Sequence, residues 1–306
     1  MPCRAGGFIL RRIPKLGMPY MGAKRKLSKP LVDFMLKENP NAKYFYDLFG
    51  GGGSMSFEAI QRPQIKQVFY NEFNTGVVEL LKDVLKNGID EKYYKWIDRE
   101  TFNENKNGDD WLGGFCKVCW SFGNNQRNYI FSKEIEEDKR LLHEIVVNNC
   151  KKSLKIFNKK FKTNLELENK KSLFDEETIT QKRLRVMGIL KQENKRFDLQ
   201  QLERLQQLQR LEQFSISNLS YLDVEIKTSI NETIIYLDPP YENTAGYEKS
   251  ICHKELYEYI KKSPYKIYIS SYESHLDCVL ELEHRSTLSA TKNDKKVIEK
   301  LFTNRS

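Results

Sequence analysis

The sequence is poor in the residues that most enzymes use for covalent or metal chemistry: four His, three Trp and six Cys are spread over 306 residues. No His stands in a motif with a nucleophilic Ser or Cys, so nothing points to a covalent enzyme intermediate. Cys116 and Cys119 form a CxxC, but no second pair or Cys-x-His cluster follows at a zinc-site spacing. They are expected to pack as small apolar residues, with no metal. Cysteines scattered without a framework fit a reducing cytoplasm. Nothing resembles a membrane span, and Phe8-Ile9-Leu10 is far shorter than a secretory apolar region of about 7 to 15 residues. Acids are missing from residues 1–30, which hold eight Lys or Arg and so carry most of the net charge of +9.

What is present is the material of a folded chain. Apolar residues at 39% against 30% charged, with 17 Phe and 16 Tyr, exclude a disordered polymer. The length allows one large or two modest domains. Lys151 to Lys162 contains six lysines and no acid, and Lys182 to Arg196 has six basic residues against Glu193. Each run is either a solvated helix face or a surface for phosphates.

Residues 1–17 include Pro2, Gly6, Gly7, Pro14 and Gly17, lack a helical or strand period, and read as an irregular basic extension. Apolar spacing then predicts a helix over Leu27 to Leu36, a strand over Tyr44 to Phe49, a helix from Met55, a strand over Gln67 to Tyr70 and a helix over Val77 to Leu85. Such alternation implies a parallel sheet. It breaks from about 91 to 215, where long helical patterns such as Lys133 to Val147 prevail and Leu202, Leu205, Leu208 and Leu211 recur every three residues. Strand character returns at Thr233 to Leu237 and Lys266 to Ser270, around a helix over Glu255 to Lys261. The expected architecture is an α/β, Rossmann-like core, residues 18–90 and 216–306, interrupted by a mostly helical insertion at 91–215.

Two short segments carry the chemistry. In Asp47-Leu48-Phe49-Gly50-Gly51-Gly52-Gly53-Ser54 the glycines sit where a strand turns into a helix, and lacking Cβ they let a nucleoside cofactor approach the backbone. The turn itself does not choose among NAD, ATP and S-adenosylmethionine. Glu72, roughly 20 residues on, stands where an acid takes a ribose diol, or is a strand-end surface acid.

The second segment is Asp238-Pro239-Pro240-Tyr241, which follows the apolar strand Ile234 to Leu237 and so leaves the carboxyl end of a parallel strand. Proline lacks an N–H and fixes φ, which leaves carbonyls as rigid outward acceptors. An exocyclic amine on a base has two N–H donors and a lone pair drained into the ring. The Asp238 carboxylate and the Pro239 carbonyl can accept those donors and localise the lone pair, while Tyr241 offers a stacking face.

Together these segments resemble the DNA adenine-N6 methyltransferase family, in the group that places cofactor motifs first, then a target-recognition insertion, then Asp-Pro-Pro-Tyr. The resemblance covers most of residues 18–306. It implies a Rossmann-like S-adenosylmethionine-dependent methyltransferase fold and transfer of a methyl group to N6 of an adenine flipped out of duplex DNA. Tyr20-Met21-Gly22-Ala23-Lys24 resembles the family's N-terminal motif, which implies that Tyr20 and Lys24 bind cofactor, Lys24 by pairing with its carboxylate. Asp47, Phe49, Gly51 and Gly53 fall on the glycine motif, Glu72 on the ribose acid, and Asp238 also touches the cofactor side. Asn218-Leu219-Ser220-Tyr221 departs from the family, which often has an acid before the Tyr; Asp223 lies later instead.

Trp120 to Arg127 resembles a stretch of the family's insertion. Asn124, Asn125, Gln126 and Arg127 are either base-reading side chains for DNA or a surface turn. The expected partner is double-stranded DNA, with a monomer or weak dimer and a cognate restriction endonuclease left open. An N4-cytosine enzyme and a catalytically silent DNA-binding relative are the rival readings.

Overall fold

A computed structural model describes residues 16–162, 202, 205, 210–240, 251–271, 274–285 and 296–305. Within them a seven-stranded sheet has the order β3-β2-β1-β4-β5-β7-β6. The strands are β1 Tyr44–Asp47, β2 Gln67–Asn71, β3 Phe214–Ser217, β4 Thr233–Leu237, β5 Lys266–Ser271, β6 Asp277–Arg285 and β7 Lys296–Thr303. The first five run parallel; β7 enters antiparallel between β5 and β6.

The central strands are apolar on both faces because helices cover both. Phe45, Ile234, Tyr236 and Tyr268 point to one side, against Leu31, Val32 and Met35 of α1 (Ser28–Glu38) and Met55 and Ala59 of α2 (Ser54–Ala59). Their alternates Tyr46, Ile235, Leu237, Ile267 and Ile269 point to the other, with Leu256 and Ile260 of α8 (His253–Lys262). This period-2 division is what the sequence pattern predicts for a doubly covered sheet.

The third core cluster joins the helical region to the sheet. Helix α3 (Thr75–Asn87) is capped by Asn74, and its Val77, Leu80, Leu81 and Val84 pack with Tyr93, Phe102, Phe115 and Trp120. Those residues come from α4 (Arg99–Asn105), α5 (Trp111–Cys119) and their flanking turns. Asp98 and Asp110 cap α4 and α5 by accepting from Thr101 N and Gly113 N, both at 2.8 Å. Helices α6 (Lys133–Val146) and α7 (Lys151–Phe161) pack onto this cluster through Leu141, Ile145 and Phe157. Leu202 and Leu205, from the predicted leucine ladder, are helical and buried in it.

Helices α3 and α5 meet through glycine. A Cβ on Gly114 would lie 1.9 Å from the Gly76 carbonyl oxygen and 2.8 Å from Leu80 Cβ. Neither backbone can retreat without opening the core. We therefore expect Gly114→Ala to cost at least about 3 kcal/mol in urea unfolding. Gly123→Ala, whose Cβ meets nothing within 4 Å but whose φ is +61°, should cost only about 1 to 2 kcal/mol.

Candidate active site

Strand β1 lies between β2 and β4, with Asp47 beside Tyr70 on one side and Tyr236 on the other. The chain leaves β1 toward β2 and later returns to β4 on the opposite flank, so the strand order reverses at this point and a crevice opens at the carboxyl ends. The Gly50–Gly53 turn and Asp238 therefore emerge side by side although nearly 200 residues separate them.

The turn is built from both sides. Gly50 N donates to Asn71 O and Gly53 N to Gly50 O, each at 2.7 Å, and Met18 N donates to Gly52 O at 2.7 Å. Gly51 and Gly53 have φ of +48° and +75°, and a Cβ on Gly53 would lie 2.4 Å from the Phe57 ring. No side chain fits there. The Tyr20 ring stands over Gly51, where a Cβ would approach it to 3.0 Å. Phe49 packs its half-buried ring on Tyr221, with centroids 5.1 Å apart.

Glu72 faces the turn from the end of β2. Its Oε2 accepts from Gly51 N and its Oε1 from Asn74 N, both at 2.8 Å. Burial raises its pKa, against the pull of those amides and of Lys117 on α5. Asn71 uses its whole side chain to join strand ends: Nδ2 donates to Leu48 O and Leu219 O, and Oδ1 accepts from Ser217 Oγ and Leu219 N. Asn218 Nδ2 donates to the carbonyls of Glu72 and Phe73, leaving the Phe73 ring 51% exposed beside the crevice.

Lys24 occupies an unexpected place. Its ammonium donates to Asp238 Oδ1 at 2.8 Å and lies 3.5 Å from Glu299 Oε1 on β7. Asp238 keeps 19% of its side chain exposed, while Lys24 and Glu299 are buried. The sequence reading pairs Lys24 with a cofactor carboxylate; here its protein partners are two carboxylates. Glu299 was missed, although its spacing from Leu301 puts an acid on a core-facing position of a strand. Phe73, Asn71, Asn74 and Lys117 also escaped notice, having no motif of their own.

Tyr241 lies outside the described residues, as does the basic run Lys182 to Arg196. The Ser121–Tyr129 loop holds the four residues read for DNA. Asn124 Nδ2 donates to Val118 O at 2.8 Å, and Asn125 Oδ1 accepts from Arg127 N and Asn128 N at 3.0 Å. Gln126 is buried, whereas Arg127 is exposed. Asn124 and Gln126 both have positive φ, +59° and +63°, a sparsely populated conformation held by these contacts. Asp223 is exposed in the turn after Tyr221.

A doubly covered sheet of this order, with a glycine turn after β1, an acid after β2 and Asp-Pro-Pro after β4, defines a Rossmann-like methyltransferase. The family model of the D12 class N6 adenine-specific DNA methyltransferases matches residues 20–275, and the chain belongs to that family. It is an adenine-specific DNA methyltransferase, so the N4-cytosine reading falls. Among solved structures, HI0767 of Haemophilus influenzae, a methylase candidate, aligns over 90% of this chain and 87% of its own at 13% identity and a TM-score of 0.30. The assignment rests on the family match alone. Comparison with curated proteins gave no match. No helix among the described residues is long and apolar enough to cross a membrane.

Asp47 sits beneath the turn with its Oδ2 accepting from Ser56 Oγ at 2.7 Å. Burial, with repulsion from Asp238 and Glu72, pushes its pKa up to about 7. A carboxyl raised on folding contributes most stability below its unfolded pKa and loses it as pH rises through the folded value. Wild type should therefore weaken relative to Asp47→Asn as pH rises from about 4 to about 7, by up to about 4 kcal/mol. Urea midpoints across that range test it; parallel curves would show an ordinary carboxylate.

Proposed function

We propose that the crevice binds S-adenosylmethionine along the Gly50–Gly53 turn, with Tyr20, Lys24, Asp47, Phe49, Gly51, Gly53, Glu72 and Asp238 around it. We further propose that an adenine flipped from duplex DNA enters at Asp238-Pro239-Pro240-Tyr241. The observation that carries this reading is the adjacency of the glycine turn and Asp238 at the ends of neighbouring strands. The residues fit such a cofactor. Asp47 Oδ1 and Ser54 Oγ are buried beside the turn without a hydrogen-bond partner, as polar atoms awaiting a ligand are. Asp47, Glu72, Asp238 and Glu299 outnumber Lys24 and Lys117 among the buried or partly buried ionisable groups here, a balance that favours a cationic ligand.

When bound, the cofactor supplies an electrophilic methyl group on sulfur. The chain's own part is positional. Glu72 presents a carboxylate already held by two backbone amides, aimed at the turn where a ribose would lie. Asp238 accepts from the target N6–H, and the Pro239 carbonyl accepts from the second N–H, so the amine lone pair points toward the methyl carbon. With the cofactor held at the glycine turn, the methyl group would pass from its sulfur to N6, and the surplus proton would leave N6 by way of Asp238 to solvent. Lys24, donating to Asp238 Oδ1, offsets the Asp238 charge. No nucleophile on the protein takes part; orientation and preorganised acceptors supply the rate.

Asp238 stands at the carboxyl end of β4 with 19% of its side chain exposed, and an acceptor fixed there requires the adenine to leave the base stack. For the duplex itself the helical region, residues 91–215, offers Arg127 and the half-buried Asn124 and Asn125 of the loop. It also offers the exposed Lys151, Lys152, Lys155 and Lys159 of α7 for phosphates.

Asp238→Ala should lower methyl transfer to DNA by at least about 10²-fold to 10³-fold while changing cofactor affinity far less. Labelled S-adenosylmethionine with duplex DNA measures the first, and calorimetry the second. Retention of transfer within a few-fold of wild type would remove Asp238 from the chemistry.

A further inference from the structure

The helical region reaches the cofactor crevice at Asn74, beside Lys117. Its backbone N–H donates to Glu72 Oε1 at 2.8 Å. Its side-chain Oδ1 accepts from Val77 N at 3.3 Å, as the cap of α3, and from Lys117 Nζ at 3.2 Å. Those two donors fix the amide orientation, so Nδ2 faces Gln126, whose Oε1 accepts at 3.4 Å. Lys117 is buried on α5 and Gln126 is buried in the strained loop that follows it. Ser121 Oγ binds the pair together, donating to Lys117 O at 2.5 Å and accepting from Gln126 N at 3.0 Å.

This arrangement gives the loop two surfaces with different duties. Phe122 and Arg127 stand exposed on the outside. Gln126, between them in sequence, turns inward because its positive φ reverses the chain there. Its side chain ends one residue away from the acid that faces the glycine turn. Lys117 adds a buried positive charge beside that acid. A displacement of the loop's outer face therefore reaches Glu72 through the Asn74 amide and the Lys117 charge.

We propose that Gln126 and Lys117 are positioning residues for Glu72, and that through them DNA bound at the outer face of the Phe122–Arg127 loop tightens the cofactor site. The proposal rests on Glu72 being the cofactor's acid. It predicts reciprocal coupling: whatever factor DNA gives to cofactor affinity, the cofactor gives to DNA affinity.

The experiment is calorimetric titration of the full chain with sinefungin, a methyl-donor analogue that cannot react, with and without sheared genomic DNA. Wild type should bind the analogue, and bind it roughly tenfold tighter with DNA present. Gln126→Ala should weaken analogue binding roughly tenfold and abolish the tightening, while Gln126→Glu, which keeps an acceptor for Asn74, restores both. Arg127→Ala should leave binding without DNA unchanged and reduce only the tightening. Should Gln126→Ala fold poorly, Gln126→Met, close in volume and without an amide, severs the same link while leaving Asn74, the α3 cap and the acceptor for Lys117 in place. Analogue affinity and DNA tightening equal to wild type in both Gln126→Ala and Gln126→Met would overturn the proposal. So would a wild type that binds the analogue equally with and without DNA. A wild type that binds no analogue at all would overturn the underlying cofactor reading instead.

Discussion

One buried ammonium organises this protein's reactive edge. Lys24 belongs to the chain before α1, Asp238 to the end of β4 and Glu299 to β7, and the three meet where the sheet turns from parallel to antiparallel pairing. Two carboxylates so placed would repel each other and be costly to bury; the shared cation makes both tolerable. Removing it would leave uncompensated charge in the crevice, a loss of about 3 to 5 kcal/mol for an ordinary buried pair. The partly exposed side of Asp238 discounts that figure, since water reaches it. What the arrangement secures is geometry: the bond from Lys24 fixes where the Asp238 carboxylate stands at the end of β4.

Glu72 follows a similar rule with different partners. Its charge is stabilised by backbone amides of the glycine turn and of the α3 cap rather than by a paired side chain. Burial alone would favour the neutral acid, and the amides work against that. Asp47, deeper in the protein, has only Ser56 to hold its ionised form and is repelled by Asp238, and its pKa rises accordingly. Neighbouring carboxylates within one crevice are thus set to different proton affinities by how many donors each can reach.

How much of this was legible in the sequence depends on the distance over which each feature is encoded. The glycine turn, β4 and the Asp-Pro-Pro step are local, and apolar periodicity with the turn residues was enough to place them; β4 spans Thr233–Leu237 in both sequence and structure. The first five core elements were found with boundaries within two residues, as frayed ends allow. The pairing of Lys24 with Asp238 spans 214 positions, and nothing near Lys24 signals it. β7 was missed because Lys296, Glu299 and Lys300 break its apolar run, although its core-facing alternates are regular. Gly114 lets α5 lie directly on α3, a contact that no local pattern around it signals.

That close contact bears on what the word insertion can mean here. Residues 91–162 share one continuous apolar cluster with α3 and with Tyr70 of β2. An appended recognition domain would have its own core and a thin polar boundary, free to rotate. Here the boundary is a glycine-to-glycine backbone contact and a layer of aromatic rings, including Tyr93, Phe115 and Trp120. Interiors packed to this degree do not deform smoothly; they shift between discrete arrangements or stay put. Residues 91–162, on such a base, cannot move relative to Glu72 without repacking the cluster. The bond from Asn74 to Glu72 then becomes a measure of how the two halves of the protein sit on each other.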